Sequence, residues 1–536
     1  MRIFLVFILS IFAFSSNAQF TPIVASQIGV NQAQIETGAN GEEVFLNIGD
    51  SNSDGRGTTL GPTTLSGTCY LWNGSSYTEI TTADVSNGTG VGSPFGTYLK
   101  QFALDYNART GRKVHLAQYG SGGAEFYPNG DNNNWYTSGT LYADARAEAR
   151  EAMAAAGVTK LKAIFITLVI NDFRAATSTA NIQTGINSLI SRLNADFPNT
   201  TIIMNQMGRA ETGVPTTGGE AFSARAYTIR NYLIDAAKNN ANVYLLSGPT
   251  TGSGLTSTLY NADLLHYSQT LNNYIGGMLD RVLEMKDTYS KWATCINASM
   301  FDDLSTTRRN AIATFVDAEI ANGNFWKYEY FGWYKTTIQQ NAFVDWTFQG
   351  FLFNSTSIVF NANSDLESNG TTNHYTLSYM PGVSTRSASN TDFIACAYVH
   401  DNLTASGTLG LLFGGGNATN QFFVGQNTVP NETYQVSDGT VTSYTGEGAF
   451  VDGNYYSGAR SGGTKYLLKN TTVSHSASVA ATTANSTVFP ILGGRNNNGT
   501  LQRMAAKYGS MTIAGPYSTF DLAAHQSNLN TLRAAW

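Results

Sequence analysis

Residues 44–52 read VFLNIGDSN. The mostly apolar run Val44–Ile48 is typical of a strand that is buried in a parallel sheet. Gly49-Asp50-Ser51-Asn52 follows at once, so Ser51 is predicted to lie on the turn after that strand. Ligands of open α/β sheets bind at this carboxyl edge of the strands. Ser51 is therefore a candidate functional residue.

Outward from this stretch, short apolar runs alternate with helical stretches through the first half of the chain. This alternation is typical of βαβ units, and we predict a three-layer α/β/α domain with a parallel sheet. The near-continuous apolar run Ala163–Ile170 is predicted to be the centre of the sheet. The predicted strands are Val44–Ile48, Lys113–Tyr119, Ala163–Ile170, Thr201–Asn205 and Val243–Ser247, and the predicted helices are Tyr98–Asn107, Tyr142–Ala156, Ile182–Phe197, Glu220–Asn239 and Gln269–Lys286.

The pattern changes after residue 297. One amphipathic helix, Leu304–Ala321, is predicted to be a linker. Beyond Phe325 only short alternating runs remain, separated by turns rich in Gly, Asn, Ser and Thr, which predicts an all-β sandwich of the jelly-roll type. The segment Phe520–Trp536 is predicted to close it as a helix. Aromatic side chains of 325–334 could stack on sugar rings, although such clusters more often belong to a core or an interface.

Length and composition exclude several classes of protein. The chain has 536 residues, whereas a single hydrophobic core stops growing near about 250–300. Only 13% of the residues are charged and the formal net charge is −6, so nucleic acid is not an expected partner. Cys69, Cys295 and Cys396 are too few and too scattered for a disulfide framework or a CxxC metal site. We predict no metal and no cofactor.

The N-terminus has the features of a cleavable signal peptide, residues 1–18. Arg2 precedes the apolar run Ile3–Phe14, and the small residues Ser16 and Ala18 stand where a signal peptidase acts. This apolar run is shorter than the roughly 20 residues of a membrane span. We therefore predict cleavage near Ala18/Gln19 and a secreted or extracytoplasmic mature chain without a membrane span.

A serine nucleophile needs a base that takes its proton, and the predicted α/β region contains two histidines, His115 and His266. His115 lies inside a predicted strand and is interpreted as structural. His266 lies in Asp263-Leu264-Leu265-His266, in the loop before the last helix. A carboxylate at 263 can hold one ring nitrogen while the other acts as general base, which is the logic of a Ser/His/Asp triad.

Two further loops supply candidate donors for an oxyanion. Residues 119–123 follow the second predicted strand and contain Gly120, Gly122 and Gly123, whose backbone N–H groups no side chain obstructs. Asn171 follows the third predicted strand and carries a side-chain amide. Taken singly, these residues are also the ordinary residues of βα loops, which favour them as turns and helix caps.

Together, Gly49-Asp50-Ser51, Gly122, Asn171-Asp172 and Asp263 with His266 resemble the four blocks of the SGNH (GDSL-like) hydrolase family. The resemblance covers roughly Glu43–Lys286. It implies that Ser51 is the nucleophile, His266 the base and Asp263 its orienting group. It also implies an oxyanion hole formed by the N–H groups of Ser51 and Gly122 and the amide of Asn171, with Gly120 or Gly123 as alternative donors.

Residues 48–55 are most similar to the carbohydrate-esterase branch of that family, which includes sialate O-acetylesterases and acetylxylan esterases. That branch usually has Gln where Asp50 stands, and its third block usually has Gly where Val169 stands. The second half of the chain resembles a concanavalin A-like or laminin G-like lectin sandwich. We therefore predict a signal peptide at 1–18, an N-terminal extension at 19–42, a hydrolase domain at 43–290, a linker helix at 297–322 and the lectin-like sandwich at 323–536.

The predicted function is that of a secreted serine esterase, which removes acyl groups, with acetyl as the expected group, from a carbohydrate or polysaccharide. The appended sandwich would bind or orient the polymer. Two alternatives stay open. One is a non-catalytic glycan-binding or adhesive surface protein with a degenerate site, and the other is a lipase or thioesterase of the same fold. Sugar, ring position and oligomeric state are left open.

Overall fold

The computed structural model describes most of the chain from Ile35 onward. The predicted signal peptide and residues 19–34 of the predicted extension lie outside the described residues. Within the described part, no helix has the length and apolar character that a membrane span requires. The described residues are 35–56, 61–81, 96–130, 132–168, 170–174, 177–206, 222–247, 259–261, 265–342, 344–349, 353–356, 359–362, 365–369, 374–377, 391–405, 409–416, 421–427, 431–438, 442–444, 453–478, 491–492, 494–497 and 500–536.

A seven-stranded sheet forms the centre of the N-terminal region, as far as the structure describes it. Its order is β3-β2-β4-β1-β5-β6-β7, and every pairing is parallel except β2 with β3. The strands are β1 Glu42–Gly49, β2 Cys69–Trp72, β3 Tyr77–Glu79, β4 Lys113–Gly120, β5 Ala163–Thr167, β6 Thr201–Asn205 and β7 Val243–Leu246. The central strand is β1, so the prediction that placed Ala163–Ile170 at the centre is wrong by one position.

Helices cover both faces of this sheet. All residues of β5 are buried, and so are all residues of β1 after the first. Because successive strand residues point to opposite faces, such strands must be covered on both sides, which is the predicted three-layer α/β/α arrangement. The helices are α1 Ser51–Asp54, α2 Leu99–Thr110, α3 Leu141–Ala155, α4 Ile170–Arg174, α5 Thr179–Asp196, α6 Phe222–Asn239 and α7 Gln269–Met285.

The hairpin of β2 and β3 was missing from the predicted strands, and it is the reason that β1 is central. Its turn is built by Asn73, whose Oδ1 accepts the N–H groups of Ser75 at 3.0 Å and Ser76 at 2.9 Å. Gly74 adopts a positive φ of 90° in this turn, a backbone conformation that favours glycine. The Asn-Gly pair between two short strands is a hairpin signal that the sequence does contain.

Two helices, not one, occupy the segment around the predicted linker. They are α8 Lys291–Ala298 and α9 Thr306–Ala321. The first packs against α7 and β7, and the second packs against the first. The side chains of Ile312, Phe315 and Val316 on α9 are buried. The predicted linker helix is therefore a packed element rather than an isolated connector.

The C-terminal region consists mostly of strands. They are β8 Tyr328–Trp333, β9 Phe353–Thr356, β10 Val359–Asn361, β11 Asp365–Asn369, β12 His374–Leu377, β13 Asp392–Ala405, β14 Leu409–Gly416, β15 Gln421–Asn427, β16 Asn431–Asp438, β17 Thr442–Tyr444, β18 Tyr455–Ser461, β19 Thr464–Lys469, β20 Thr472–Ser478, β21 Ile491–Leu492, β22 Gly494–Asn497 and β23 Thr500–Ala514. In the described part of this region two α-helices accompany them, α10 Gln339–Ala342 and α11 Leu522–Ala534, together with short 3-10 turns at Phe325–Lys327 and Tyr517–Thr519.

These strands form two sheets that share β23. One sheet runs from β8 and β11 through β23, β13, β18 and β19 to β20, and the other runs from β12 through β21, β14, β15 and β16 to β17. The first residues of β23 pair with β22, which pairs with β14, whereas its later residues pair with β13. Strand β16 lies against β18 and β19 of the opposite sheet. The region is thus the predicted all-β sandwich, with β14–β22 as the parallel exception.

Aromatic side chains of residues 325–349 join the sandwich to the N-terminal region. The ring of Trp292 on α8 lies 5.0 Å from that of Trp326 and 5.6 Å from that of Phe348, centroid to centroid. Lys238 on α6 lies over Trp326, with Nζ 4.3 Å from the ring centroid. Tyr328, Tyr330, Trp333 and Tyr334 are at most 2% exposed. These rings are core, so they present no face on which a sugar could stack.

A buried polar network holds the last helix against the sandwich. Glu319 on α9 accepts hydrogen bonds from the Tyr328 hydroxyl and from Asn528 Nδ2 on α11, the latter at 2.6 Å. The Tyr328 hydroxyl also lies 2.8 Å from Nδ1 of His525. Burial alone would raise the pKa of the Glu319 carboxyl, but the contact with His525 and the donated hydrogen bonds hold this pKa below its usual value. The C-terminal helix is thereby anchored to α9 and β8.

Helices α2 and α7 pack closely against each other at a glycine, Gly276. A Cβ on Gly276 would lie 2.6 Å from the carbonyl oxygen of Tyr98 and 2.7 Å from the backbone nitrogen of Phe102. The next residue, Gly277, faces only the side-chain ends of Asp105 at 3.3 Å and Arg281 at 3.5 Å. The two glycines therefore differ in what a methyl group would meet.

We expect Gly276→Ala to lower the free energy of unfolding by about 1–3 kcal/mol, because the added methyl group forces the backbone of α2 to move. Gly277→Ala is the matched control, and it should be neutral or stabilising by up to about 1 kcal/mol, since alanine favours a helix over glycine. Urea unfolding of both variants measures the difference. Equal stabilities would contradict the close approach of the two helices.

Candidate active site

Ser51 begins α1 directly after β1 and is 6% exposed. A sharp turn places it there. Gly49 has a φ of 152°, and a Cβ at this position would lie 1.9 Å from the carbonyl oxygen of Thr167 on β5, so only glycine fits. Asp50 caps the short helix, since its Oδ1 accepts the N–H of Asn52 at 2.8 Å. Ser51 consequently sits at the carboxyl edge of β1, on the turn after this strand, as predicted from the sequence.

Polar side chains beneath α1 hold the end of this turn. Asn47 on β1 and Gln118 on β4 both donate to the carbonyl oxygen of Ser53, at 3.0 and 3.1 Å. Tyr98, which is fully buried, donates its hydroxyl to Asn47 Oδ1 at 2.7 Å. Buried carbonyls at the end of a helix need such partners. The network fixes the turn that carries Ser51 to three neighbouring elements.

His266 meets Ser51 across 215 residues of sequence: its Nε2 lies 2.9 Å from Ser51 Oγ. The imidazole is carried on residues 265–268, which pair antiparallel with residues 259–261; we call these two segments the His266 hairpin. The N–H of Asn261 donates to the carbonyl oxygen of His266 at 2.8 Å, and the N–H of Ser268 donates to that of Leu259 at 3.0 Å. A hydroxyl at this distance from a ring nitrogen is within reach for general-base proton transfer.

Two site positions named by the sequence analysis cannot be placed. Both lie outside the described residues: Asp263 belongs to the segment 262–264, and Val169 is the residue just before α4. The role of Asp263 as the carboxylate that orients His266 therefore stays a prediction. So does the effect of valine where the related family usually has glycine.

Two asparagine side chains tie the His266 hairpin to the segment that carries Ser51. Asn52 Nδ2 donates to the carbonyl oxygen of Leu265 at 3.3 Å, and Asn52 Oδ1 accepts the N–H of Tyr267 at 3.0 Å. Asn261 Nδ2 donates to the carbonyl oxygen of Arg56 at 2.7 Å. Neither asparagine has a role that the sequence predicts. The signal for Asn52 was its place next to the nucleophile, but no spacing rule indicates its partners.

The three candidate glycines after β4 differ in their surroundings. Gly120 ends the strand, and a Cβ there would lie 2.8 Å from the backbone nitrogen of Asp54, so this glycine allows α1 to pack closely. Gly122 and Gly123 are exposed, and Gly123 has a φ of 81°. A Cβ on Gly122 would lie 3.3 Å from a terminal nitrogen of Arg56, in the segment that follows Ser51. Gly120 is therefore explained by packing, whereas the assignment of Gly122 as donor, with Gly123 as the alternative, stays a prediction.

Asn171 lies in the first turn of α4, because β5 ends at Thr167 rather than at the predicted Ile170. Its Nδ2 donates to the carbonyl oxygen of Ala124 at 3.2 Å. This bond connects the third predicted block to the loop that contains Gly122. Gly122 and Asn171, two of the three candidate oxyanion donors, thus belong to segments that are hydrogen-bonded to each other.

Asp172 supports the same pair of loops from below. It is fully buried, and its Oδ1 accepts the N–H of Phe126 at 3.0 Å. Burial and the neighbouring carboxylate of Glu125 raise the pKa of Asp172 well above its usual value. Arg225 on α6 donates from Nε to the Asp172 carbonyl oxygen at 3.0 Å. Asp172 is therefore a buried anchor for the 124–126 loop.

His115 lies at the opposite end of the sheet from Ser51. It stacks on Tyr70 at a centroid distance of 4.7 Å and contacts Tyr77 edge-on at 4.3 Å. Both tyrosines belong to the edge hairpin. Burial lowers the pKa of His115 to about 4. It is a neutral packing residue, in line with its interpretation as structural.

Asp54, at the end of α1, is a buried acid beside the nucleophile turn. Neither carboxylate oxygen has a hydrogen-bond partner among the described residues. Burial raises the pKa of Asp54 to about 6, and the positive charge of Arg56 only partly opposes this. The ionised form is therefore unfavourable in the folded protein.

We expect Asp54→Asn to stabilise the protein at pH 7.5 but not at pH 4. An acid whose pKa is raised from about 3.9 to about 6 contributes its full stability below the unfolded value and loses it as the pH rises through 6. The difference in free energy of unfolding between the variant and the wild type should therefore be about 2 kcal/mol larger at pH 7.5 than at pH 4. Urea unfolding at each pH measures this. Asp287→Asn, at an exposed carboxylate, is the control, and an equal pH effect in both variants would refute the account.

Comparison with known proteins adds a sequence match to this geometry. Residues 45–277 match the family model described as GDSL-like lipase/acylhydrolase. No curated protein matches the chain. Among solved structures, a protein from Arabidopsis thaliana is 17% identical, with 46% of this chain and 99% of that chain covered and a TM-score of 0.35.

Two other solved structures are similar to a comparable extent. NanS is 11% identical over 47% of this chain and 98% of its own, with a TM-score of 0.34. A mutant of Trypanosoma rangeli sialidase displaying trans-sialidase activity is 10% identical over 41% of this chain and 39% of its own, with a TM-score of 0.29. At such scores these likenesses carry no argument about function. The family to which residues 45–277 are matched is that of the GDSL-like lipases and acylhydrolases, and Ser51 and His266 both lie within this span.

Proposed function

We propose that the N-terminal region is a serine esterase in which Ser51 is the nucleophile and His266 the general base. The observation that carries this proposal is the 2.9 Å distance between Ser51 Oγ and His266 Nε2 at the carboxyl edge of a parallel sheet. The match of residues 45–277 to an acylhydrolase family supports it independently. A drifted, non-catalytic site would have no need to keep a hydroxyl and an imidazole in this geometry.

The reaction proceeds in two halves. Ser51 Oγ attacks the carbonyl carbon of the ester while His266 Nε2 takes the hydroxyl proton, and the same nitrogen then gives that proton to the departing alcohol. Water attacks the resulting acyl-serine, with His266 again taking and returning the proton, and the carboxylic acid leaves. Asp263 is assigned the orienting role at the other ring nitrogen.

The oxyanion of each tetrahedral intermediate needs fixed donors. The N–H groups of Ser51 and Gly122 and the amide of Asn171 are assigned this role. One N–H of the Asn171 amide already binds the Ala124 carbonyl oxygen, which orients the amide plane. An amide carries a second N–H, and this is the one proposed to face the substrate.

The proposed substrate is an acylated carbohydrate, and acetyl is the preferred acyl group. The support is the similarity of residues 48–55 to the carbohydrate-esterase branch of the family. The same proposal includes export by the N-terminal signal sequence and a glycan-binding role for the lectin-like sandwich at 323–536. The buried aromatic cluster at 328–334 does not contribute to such binding, so any glycan contact must use other parts of the sandwich.

We expect Ser51→Ala to abolish ester hydrolysis and covalent labelling by a fluorophosphonate without changing thermal unfolding. Release of acetate from acetylated xylan, acetylated sialic acids and other acetylated polysaccharides measures the activity and names the substrate. Ser247→Ala is a matched control, because Ser247 is also buried after a strand of the same sheet but donates to the carbonyl oxygen of Asp345. Wild-type turnover in Ser51→Ala would overturn the proposed function.

Asn171→Ala tests the oxyanion assignment separately. Loss of one donor that acts only in the transition state should lower kcat by about 10²- to 10³-fold and leave KM nearly unchanged. Steady-state kinetics on a soluble acetyl ester give both constants. A rise in KM at constant kcat would instead assign Asn171 to substrate binding.

A further inference from the structure

The side chain of Asn52 contacts both chain neighbours of His266. It donates to the carbonyl oxygen of Leu265 at 3.3 Å and accepts the N–H of Tyr267 at 3.0 Å. Asn52 is 2% exposed. Among side chains that are neutral at every ordinary pH, a carboxamide offers an acceptor and a donor on one rigid plane. Asn52 thus holds the backbone on each side of the candidate base.

Asn52 is itself fixed relative to Ser51. The two residues are adjacent in α1, and the N–H of Asn52 donates to Oδ1 of the capping residue Asp50 at 2.8 Å. The path from the nucleophile to the backbone that carries His266 therefore consists of one peptide unit and one buried side chain.

We propose that Asn52 is a positioning residue, which sets the place of His266 Nε2 relative to Ser51 Oγ. The expected effect on catalysis rests on the proposed function. The contact between Asn52 and the His266 hairpin does not depend on it. Both of these side-chain hydrogen bonds of Asn52 go to backbone atoms that flank His266. Asn52 acts through the hairpin that carries His266. Its effect on the rate of ester hydrolysis must therefore vanish when the imidazole of His266 is absent.

The hairpin keeps its other supports when Asn52 is removed. Asn261 Nδ2 still donates to the Arg56 carbonyl oxygen, and the backbone bonds between Asn261 and His266 and between Ser268 and Leu259 remain. The chain should consequently still fold, with the imidazole less well placed. A displacement on the order of 1 Å in a catalytic group costs about 10²-fold in rate.

The test is Asn52→Ala, examined alone and combined with His266→Ala. We expect kcat for a soluble acetyl ester to fall about 10²-fold with KM within about twofold, and fluorophosphonate labelling of Ser51 to slow in parallel. In the His266→Ala background the further loss from Asn52→Ala should be less than about twofold, because residues that act as a unit are not additive. A second full loss in that background, or unchanged kcat in the single variant, would overturn the proposal.

Asn52→Asp guards against a folding defect in the alanine variant. It preserves shape and the acceptor for Tyr267 but removes the donor to Leu265, so kcat should fall at least about tenfold. Asn242→Ala is the matched control: the Asn242 side chain also makes two hydrogen bonds, to Asn194 on α5 and to Thr200 just before β6, but at the start of the strands, away from Ser51. It should keep kcat. Equal losses of kcat in the Asn52 and Asn242 variants would mean that Asn52 only stabilises the fold, and would overturn the proposal.

Hydrogen exchange separates this inference from the proposed function. Amide exchange in residues 265–268 should be faster in Asn52→Ala than in the wild type, and it should be unchanged in Asn242→Ala. If the wild type neither hydrolyses esters nor reacts with the fluorophosphonate, the proposed function fails, whereas faster exchange at 265–268 still supports the positioning contact. Unchanged exchange there would overturn it whatever the activity.

Discussion

The candidate site depends on the contact between two segments that are far apart in sequence, residues 51–56 and the hairpin that carries His266. Residues 51–56 are held by the sheet. Gly49, at the end of β1, lacks a Cβ and can therefore pack directly against the carbonyl oxygen of Thr167 before the chain turns into α1. The second is held by hydrogen bonds from Asn52 and Asn261. A hydroxyl and an imidazole 2.9 Å apart are the consequence of both constraints.

The sheet explains why these constraints meet at one edge. In a parallel sheet all the strands end on the same side, so the loops after β1, β4 and β5 converge without any direct chain connection. Asn171 and the loop after β4 are joined by the bond to Ala124, and Asp172 anchors Phe126 from within the core. The site is therefore built from loop ends, and the buried polar residues beneath them set their positions.

Much of this arrangement could be predicted from the amino-acid sequence. The strand at 201–205 has its predicted ends, and Ser51 was expected on the turn after β1, because apolar runs and glycine turns are local signals. The end of β5 was predicted three residues late, since Leu168 and Ile170 are apolar but belong to the turn and to α4. Apolar character alone does not distinguish a buried strand from the start of a buried helix.

What could not be predicted are contacts between distant segments. The edge hairpin β2–β3 has a local turn signal in Asn73-Gly74, but its strands of four and three residues are too short for a periodic pattern. That β2 pairs with β4, which makes β1 the central strand, has no local signal. Nothing local to Asn52 or Asn261 indicates that their partners lie near residue 266 or at Arg56. Likewise, the aromatic run at 328–334 has the composition of a sugar-binding surface, yet it is buried. Burial is decided by the packing of the two regions and not by the run itself.

The most direct test of the account is a crystal structure of the protein after reaction with a phosphonate that mimics the tetrahedral intermediate. The account predicts phosphorus bonded to Ser51 Oγ, with His266 Nε2 within hydrogen-bond distance of the adduct and the phosphonyl oxygen facing the Asn171 amide. An adduct on another residue, or an imidazole at 266 turned away from Ser51 in the adduct, would contradict it.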